Sequence, residues 1–168
     1  MKPSIRALSV FILILGCHHL QAQVLQPCHW SFKVEQSKPD EATLIFTAKL
    51  DSGWHLYSQT LTGDGPIPTK FNINESTDYK LVGQTEEGEP MSEYDKSFDL
   101  ELKYFEHEAV FKQEIKVLGK KDFDVNGTID FMVCMEQCLF PPAEKFSFKV
   151  KGNPAPQRSE ASKSSKSN

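Results

Sequence analysis

Apolar and polar residues alternate with a period of two along most of the chain between residues 29 and 151. The alternation is clearest in six runs, at residues 30–34, 44–50, 100–104, 111–117, 129–133 and 146–150. Successive side chains of a β-strand point to opposite faces, so each run predicts a strand with one face on a core and the other in water. No run has helical periodicity. The predicted fold class is therefore all-β, an immunoglobulin-like antiparallel β-sandwich forming a single domain.

Turn-forming residues separate several of these runs. Lys38-Pro39-Asp40 and Asp51-Ser52-Gly53 fall between early strands, and Asn126-Gly127 is a signal for a tight turn. One residue, Gln113, breaks the apolar parity of its run. The spacing of short strands and turns is typical of a two-sheet sandwich.

The two ends of the chain differ from this body. Lys2 and Arg6 precede a short apolar run, and small or polar residues follow as far as Gln23, which predicts a secretory signal peptide over residues 1–22. A competing interpretation is that Ile14-Leu15-Gly16-Cys17 is a bacterial lipobox, which would make Cys17 a lipidated anchor. Residues 152–168 are rich in serine and charge and contain no aromatic residue, so we expect a disordered tail. The folded domain is predicted at residues 23–151.

The net charge and the predicted export restrict the classes of function that fit this chain. The net charge is −4 and no basic block lies outside the tail, so we expect no nucleic-acid partner. The apolar run near the start is too short to span a bilayer, and no second one follows, so we expect a periplasmic protein, exported by the Sec route, rather than an integral membrane protein. Disulfides form and persist in that compartment.

The cysteines give the strongest chemical signal. Cys134 and Cys138 stand just before Pro141-Pro142, with three residues between them. A disulfide there would close a very small loop and add little stability through chain entropy. The spacing alone leaves three readings open, namely a structural hairpin disulfide, thiol–disulfide exchange and metal binding. Cys28 makes the predicted mature count odd, so we read it as a free thiol, with an intermolecular disulfide as the alternative.

The residues around the pair resemble a known family. Val133-Cys134-Met135-Glu136-Gln137-Cys138-Leu139-Phe140-Pro141-Pro142, followed by Phe146-Ser147-Phe148, resembles the active-site strands of the periplasmic N-terminal domain of the thiol:disulfide interchange protein DsbD. Gly53-Trp54-His55-Leu56-Tyr57-Ser58-Gln59 is similar to the aromatic strand of that domain. Gly65-Pro66-Ile67-Pro68-Thr69 and Tyr79-Lys80-Leu81-Val82-Gly83 are similar to its Bacteroidetes-type version, and the resemblance spans residues 29–151.

The resemblance implies a function and a division of labour between the two thiols. The family domain carries one redox-active cysteine pair, which here is Cys134 and Cys138, and needs no cofactor or metal. It receives electrons from a membrane-embedded partner and passes them to thioredoxin-like periplasmic proteins, as a component of a protein-disulfide reductase. Cys138 would form the mixed disulfide with partners and Cys134 would resolve it. We expect a monomer whose electron donor is encoded separately.

The resemblance also implies residues that surround the pair. In the family a cap loop shields the cysteines until a partner docks, and its nearest match is Met91–Asp95. Tyr94 would be the cap aromatic, with Glu93 or Asp95 as an acidic neighbour. Trp54 and Tyr57 would form an aromatic wall beside the pair.

Two readings from the residues stand beside the resemblance. His55 and His107 are interpreted as polar-face residues rather than bases. The alternative function is an immunoglobulin-like envelope binding module whose hairpin disulfide is structural.

Overall fold

The computed structural model describes residues 25–61, 63, 65–96 and 99–154, and the predicted signal peptide, with Cys17, lies outside these ranges. The described residues form twelve β-strands and no helix. The strands are β1 (Cys28–Lys38), β2 (Glu41–Leu50), β3 (His55–Tyr57), β4 (Lys70–Ile73), β5 (Tyr79–Glu87), β6 (Met91–Asp95), β7 (Leu100–Glu106), β8 (Glu108–Val117), β9 (Phe123–Asp130), β10 (Val133–Cys134), β11 (Cys138–Leu139) and β12 (Glu144–Val150).

The strands pair into three antiparallel sheets. A four-stranded sheet has the order β1-β2-β8-β5, a five-stranded sheet the order β11-β10-β3-β7-β6, and a three-stranded sheet the order β12-β9-β4. The predicted fold class is confirmed: the chain is an all-β, immunoglobulin-like antiparallel sandwich.

Aromatic side chains fill the space between the sheets. Phe46 of β2 is fully buried, with ring centroids 4.7 Å from Phe71, 5.0 Å from Phe146 and 4.9 Å from Phe148. These separations lie within the favourable range for aromatic pairs. The alternation of β2 is confirmed in full, because Leu44, Phe46, Ala48 and Leu50 are all buried in this core.

The turn predicted at Asn126-Gly127 is wrong, since both residues lie inside β9. A Cβ atom on Gly127 would stand 2.2 Å from the backbone oxygen of Asn72 and 2.4 Å from Cζ of Phe146. The glycine is therefore needed for the close approach of β4 and of an aromatic ring rather than for a change of chain direction.

The parity break at Gln113 has a structural reason. The side chain is buried and donates hydrogen bonds to the backbone oxygens of Val82 (3.1 Å) and Glu114 (2.9 Å), while Thr85 Oγ1 donates to its Oε1 (3.0 Å). The pairing of β5 with β8 is irregular between Val82 and Glu86. Gln113 thus satisfies backbone and side-chain groups that this irregularity leaves without ladder partners.

Contacts with the body continue beyond residue 151, the predicted end of the domain. The backbone N–H of Gly152 donates to Asp122 Oδ1 (3.0 Å), and that of the buried Asn153 donates to the oxygen of Gly119 (2.7 Å). The remainder of the predicted tail, from residue 155, lies outside the described residues. Within the described ranges, no helix has the length and apolar character required to cross a membrane.

Candidate redox site

A disulfide joins Cys134 and Cys138 at the end of the five-stranded sheet. The two residues are direct register partners in the β10–β11 hairpin, with Cα atoms 4.1 Å apart. The backbone N–H of Met135 donates to the oxygen of Gln137 within the connecting loop, at 3.2 Å. The Cys-x3-Cys spacing therefore forms a closed hairpin at a sheet edge.

The two cysteines differ in their access to solvent. Cys134 is only 3% exposed, whereas Cys138 is in an exposed position on the edge strand. A reactant that approaches the disulfide from solvent therefore meets Cys138 first.

Cys134 is buried by a second, smaller apolar cluster. Its buried members are Tyr57, Leu102, Met132 and Cys134, and Leu61, Leu100 and Tyr104 pack around them. Leu56, Val133 and Phe105, their neighbours along the three central strands, belong instead to the main core. Because side chains alternate between faces, the disulfide lies on the face of the five-stranded sheet opposite the main core. We call this the site face.

Four residues of the site face form a row across four adjacent strands. Cys138 pairs with Cys134, Cys134 pairs with His55 of β3, and His55 pairs with Glu106 of β7. Side chains directly opposite each other on neighbouring strands have Cβ atoms about 5 Å apart. The site row therefore places an imidazole between the disulfide and a carboxylate.

His55 is held by two tyrosines. Its Nε2 lies 3.2 Å from the Tyr57 hydroxyl, and its ring centroid is 5.1 Å from those of Tyr57 and Tyr104. Burial lowers the pKa of His55, and the nearby carboxylate of Glu106 acts in the opposite direction. The net shift is downward, so the imidazole is predominantly neutral at pH 7.

The tyrosines of the site face are themselves linked to acidic residues. Tyr104 donates a hydrogen bond to Glu93 Oε2 at 3.1 Å. Burial raises the pKa of Tyr104, and Glu93 and Glu106 act in the same direction. Burial also raises the pKa of Tyr57, with smaller contributions from Asp95 and Tyr104. Both phenols therefore keep their protons at neutral pH and remain available as donors.

The structure separates the residues expected around the pair into two groups. Tyr57, Glu93 and Asp95 share the site face, as their register partners show. Tyr94 has the opposite parity, is 57% exposed and donates its hydroxyl hydrogen bond to Asp99. Trp54 is 8% exposed and packs in the main core.

The segment expected to be a cap loop, Met91–Asp95, is the edge strand β6. Sequence reasoning did not assign Tyr104, Leu102, Met132 or Glu106 to the site, and it read His55 only as a polar-face residue. The alternation of side chains along a strand was the available signal, because residues two apart lie on the same face. His55 therefore shares a face with Tyr57, and Leu102, Tyr104 and Glu106 share a face with one another.

Two contacts fix β3, the strand that carries His55. At its end, Glu87 accepts hydrogen bonds from Ser58 Oγ (2.6 Å), the Gln59 N–H (2.9 Å) and Thr60 Oγ1 (3.0 Å). At its beginning, Gly53 has φ +84°, and a Cβ there would lie 3.2 Å from Met135 Sδ in the disulfide loop. The turn before β3 and the redox hairpin are therefore in close packing contact.

Cys28 has no part in this site. It is buried in the main core and is not disulfide-bonded in the described part of the chain. Burial raises its pKa to about 12, and Glu144 and Asp51 add to the effect. No group of three or more His, Cys, Asp or Glu side chains among the described residues is arranged to hold a metal ion.

Comparisons with known proteins identify the family and the fold of the chain. Residues 21–150 match the family model described as "Thiol:disulfide interchange protein DsbD, N-terminal". The N-terminal periplasmic domain of ScsB from Proteus mirabilis superposes with a TM-score of 0.53 at 18% identity, over 79% of this chain and 52% of that one. This chain thus spans about half the length of the ScsB domain, and the likeness supports the fold.

Two Neisseria meningitidis structures are less similar. The reduced DsbD N-terminal domain gives a TM-score of 0.44 at 16% identity, over 74% of this chain and 86% of that one. The complex of the DsbD and PilB N-terminal domains gives a TM-score of 0.41 at 16% identity, over 76% of this chain and 88% of that one. No curated protein sequence gives a significant match. The family match covers most of the chain, including both cysteines, and the chain therefore belongs to the family of the N-terminal domain of the thiol:disulfide interchange protein DsbD.

Proposed function

We propose that this protein is a periplasmic exchange domain that carries two electrons through Cys134 and Cys138 from a membrane-embedded thiol transporter to thioredoxin-like proteins. One observation carries the proposal: the disulfide has one exposed residue, Cys138, and one buried residue, Cys134. This asymmetry suits a pair in which one thiol meets the partner and the other resolves the intermediate. Family membership supports the same chemistry.

The exchange proceeds in two displacements. The Cys138 thiolate attacks one sulfur of the partner's disulfide and releases the other as a thiolate. Cys134 then attacks Cys138 Sγ, breaks its bond to the partner and releases the second partner thiol. The cysteine pair is oxidised by two electrons, and the partner disulfide is reduced to two thiols.

Access to the pair is controlled by the site face. Cys134 lies beneath apolar neighbours, and Glu93 and Asp95 of β6 share its face. The family cap role is proposed for the β6–β7 hairpin as a unit, because the acidic side chains of β6 lie on the same face of the sheet as the pair. Tyr94 would contribute to such a cap only after a movement of this hairpin, because its present parity directs it to the other face.

Mixed-disulfide trapping tests the exchange roles. Cys134→Ser is expected to accumulate a mixed disulfide between Cys138 and a thioredoxin-like partner, because the resolving thiol is absent. Cys138→Ser is expected to abolish exchange, and the buried Cys28→Ser is the matched control that leaves exchange unchanged. Failure of Cys134→Ser to yield any mixed disulfide with a thioredoxin-like protein would contradict the shuttle.

The reduction potential separates exchange from a structural role. An exchangeable pair has a potential clearly above about −300 mV, whereas structural disulfides in exported proteins lie below that value. Equilibration with glutathione and dithiothreitol buffers measures it. A value below about −300 mV would favour the alternative of an envelope binding module with a structural hairpin.

The proposed location is the periplasm. The ScsB domain that shares this fold is periplasmic, and a disulfide suits that oxidising compartment. Cell fractionation and the mass of the mature N-terminus test this proposal. An N-terminus at Gln23 would support cleavage of a signal peptide, and a lipidated Cys17 would support the lipoprotein alternative.

A further inference from the structure

The site row contains an imidazole at the position where a thiol proton must be moved. His55 is the direct cross-strand partner of Cys134, and Glu106 is the direct partner of His55 on the other side. All three side chains lie on the site face, with about 5 Å between Cβ atoms of adjacent partners. The order across the sheet is therefore thiol, imidazole, carboxylate.

The surroundings of His55 orient its ring. Nε2 lies 3.2 Å from the Tyr57 hydroxyl, and the Tyr57 and Tyr104 rings pack against the imidazole. In the tautomer whose Nε2–H donates to Tyr57, Nδ1 keeps a free lone pair and is the atom that can accept a proton. The titratable groups facing it are Cys134 from β10, Glu106 and Tyr104 from β7, and Tyr57 from its own strand. Cys138 of β11 lies beyond Cys134, and Glu93 of β6 lies beyond Tyr104.

We propose that His55 accepts the proton of the Cys134 thiol during resolution of the mixed disulfide, with Glu106 stabilising the imidazolium. This proposal deepens the exchange function and rests on it. It also assigns a task to a half-buried imidazole that is the direct cross-strand partner of a disulfide cysteine.

The proton and electron changes balance within that step. The imidazole takes the proton from Cys134, and the resulting thiolate forms a bond to Cys138 Sγ. The bond between Cys138 Sγ and the partner sulfur breaks, and its electron pair leaves with the partner as a thiolate. The imidazolium then releases the proton to solvent, from which the departing thiolate can be protonated, and neutral His55 is regenerated.

The protonation state of His55 suits this role. A proton acceptor must be neutral before the reaction, and burial holds the pKa of His55 below its usual range. Glu106 counters part of that shift, so it favours the imidazolium that forms when the thiol is deprotonated.

The test uses the reduced protein and the small disulfide 5,5′-dithiobis(2-nitrobenzoate), in single-turnover stopped flow on a Cys28→Ala background. The first thionitrobenzoate released reports attack by Cys138, and the second reports attack by Cys134. His55→Gln is expected to slow the second release at pH 7 at least about tenfold. It should also remove the imidazole limb, which is the part of the pH dependence of that rate that follows the titration of His55. The first release should stay within about twofold of the parent.

Two further variants complete the design. Glu106→Gln removes a charge that raises the pKa of His55, so the limb should move to lower pH, an effect that loss of a merely structural contact would not produce. His29→Gln, which changes an exposed imidazole 3.2 Å from Asp51, is the matched control and should change neither release.

A His55→Gln protein with the parental second release and pH profile would overturn the proposal. If that variant fails to fold, an unshifted limb in Glu106→Gln, which keeps the imidazole, would overturn it as well. The reagent replaces the protein partner, so a failed partner-trapping experiment and a failed His55 experiment are distinguishable.

Discussion

At the scale of single residues, Gly53 connects backbone conformation to the disulfide loop. Its φ of +84° is a conformation that residues with a Cβ rarely adopt, and a Cβ there would lie 3.2 Å from Met135 Sδ, closer than ordinary van der Waals contact. Gly83 has a similar φ of +66° but no atom within 4 Å of a built Cβ. A comparison of the two glycines therefore distinguishes the cost of backbone strain from the cost of contact with the disulfide loop.

We expect Gly53→Ala to lower the free energy of unfolding by more than Gly83→Ala. Both substitutions carry about 1 kcal/mol of backbone strain, and only the first displaces Met135. Urea unfolding of the oxidised proteins measures the difference. Equal losses in the two variants would show that the packing of Met135 against the turn contributes nothing.

Because Cys28 is buried, the free energy of unfolding should decrease at alkaline pH. Its pKa is 9.0 ordinarily and about 12 in the fold, so the unfolded chain loses this proton first as pH rises. The stabilisation is complete below pH 9 and is lost progressively between pH 9 and about 12. At pH 10 we expect a loss of about 1.4 kcal/mol relative to pH 8, measured by urea unfolding.

Cys28→Ala is the control for this titration, because other groups, tyrosines included, also titrate in that range. The variant should lose about 1.4 kcal/mol less than the parent between the two pH values. Parallel losses in the two proteins would contradict a buried, protonated Cys28.

At the scale of elements, a single carboxylate binds the segment that follows β3. Glu87 accepts three hydrogen bonds from the residues that directly follow β3. Hydrogen bonds to a charged acceptor are stronger than neutral ones, and Ser58 is fully buried. Glu87 therefore fixes the strand on which both His55 and Tyr57 lie.

Glu87→Ala is expected to lower the free energy of unfolding by about 2 kcal/mol, because it removes the charged acceptor of two hydroxyls and of the backbone N–H of Gln59. Its neighbour Glu86 is exposed, so Glu86→Ala should stay within about 0.5 kcal/mol of the parent. Chemical denaturation of both variants makes the comparison. A loss in Glu87→Ala no greater than in Glu86→Ala would contradict the anchoring role.

The relation of sequence to structure is also clearest at the level of elements. Long strands such as β2 and β8 could be predicted because alternation over residues 44–50 and, apart from Gln113, over residues 111–117 defines both the strand and its buried face. The strands β10 and β11 have two residues each, too few to show a period. The family resemblance identified their cysteines, and the disulfide agrees with the short spacing.

The residues around the pair were harder to predict because they depend on register. Trp54 and Tyr57 are three residues apart and so face opposite sides of the sheet, one in the main core and one beside Cys134. Tyr94 is the direct sequence neighbour of Glu93 and Asp95, so it lies on the face of the sheet opposite to theirs. Whether β6 pairs with β7 at one register or the next is decided by tertiary packing, and a one-residue slip exchanges the faces.

At the scale of the whole molecule, the disulfide contributes little to folding. It closes a loop of five residues, for which the chain-entropy model gives about 2 kcal/mol. The main core, with Phe46 and Phe111 fully buried, lies on the other side of the five-stranded sheet. Reduction should therefore leave the sandwich intact.

We expect the reduced protein to unfold cooperatively, with a melting temperature only several degrees below that of the oxidised form, as a loss of about 2 kcal/mol gives for a domain of this size. Thermal unfolding with and without dithiothreitol measures the shift. A variant with both Cys134→Ala and Cys138→Ala is the control and should not respond to the reductant. Loss of the cooperative transition on reduction would contradict this view of the disulfide.

The separation of the two faces of the five-stranded sheet has a consequence for divergence within the family. Leu56, Phe105 and Val133 maintain the core, and His55, Tyr104 and Cys134 form the site from alternate positions on the same three strands. Under the proposed function, a substitution at a site position would change reactivity or partner choice without removing a side chain of the main core. New specificities could then arise by point mutation while the main core of the scaffold is kept.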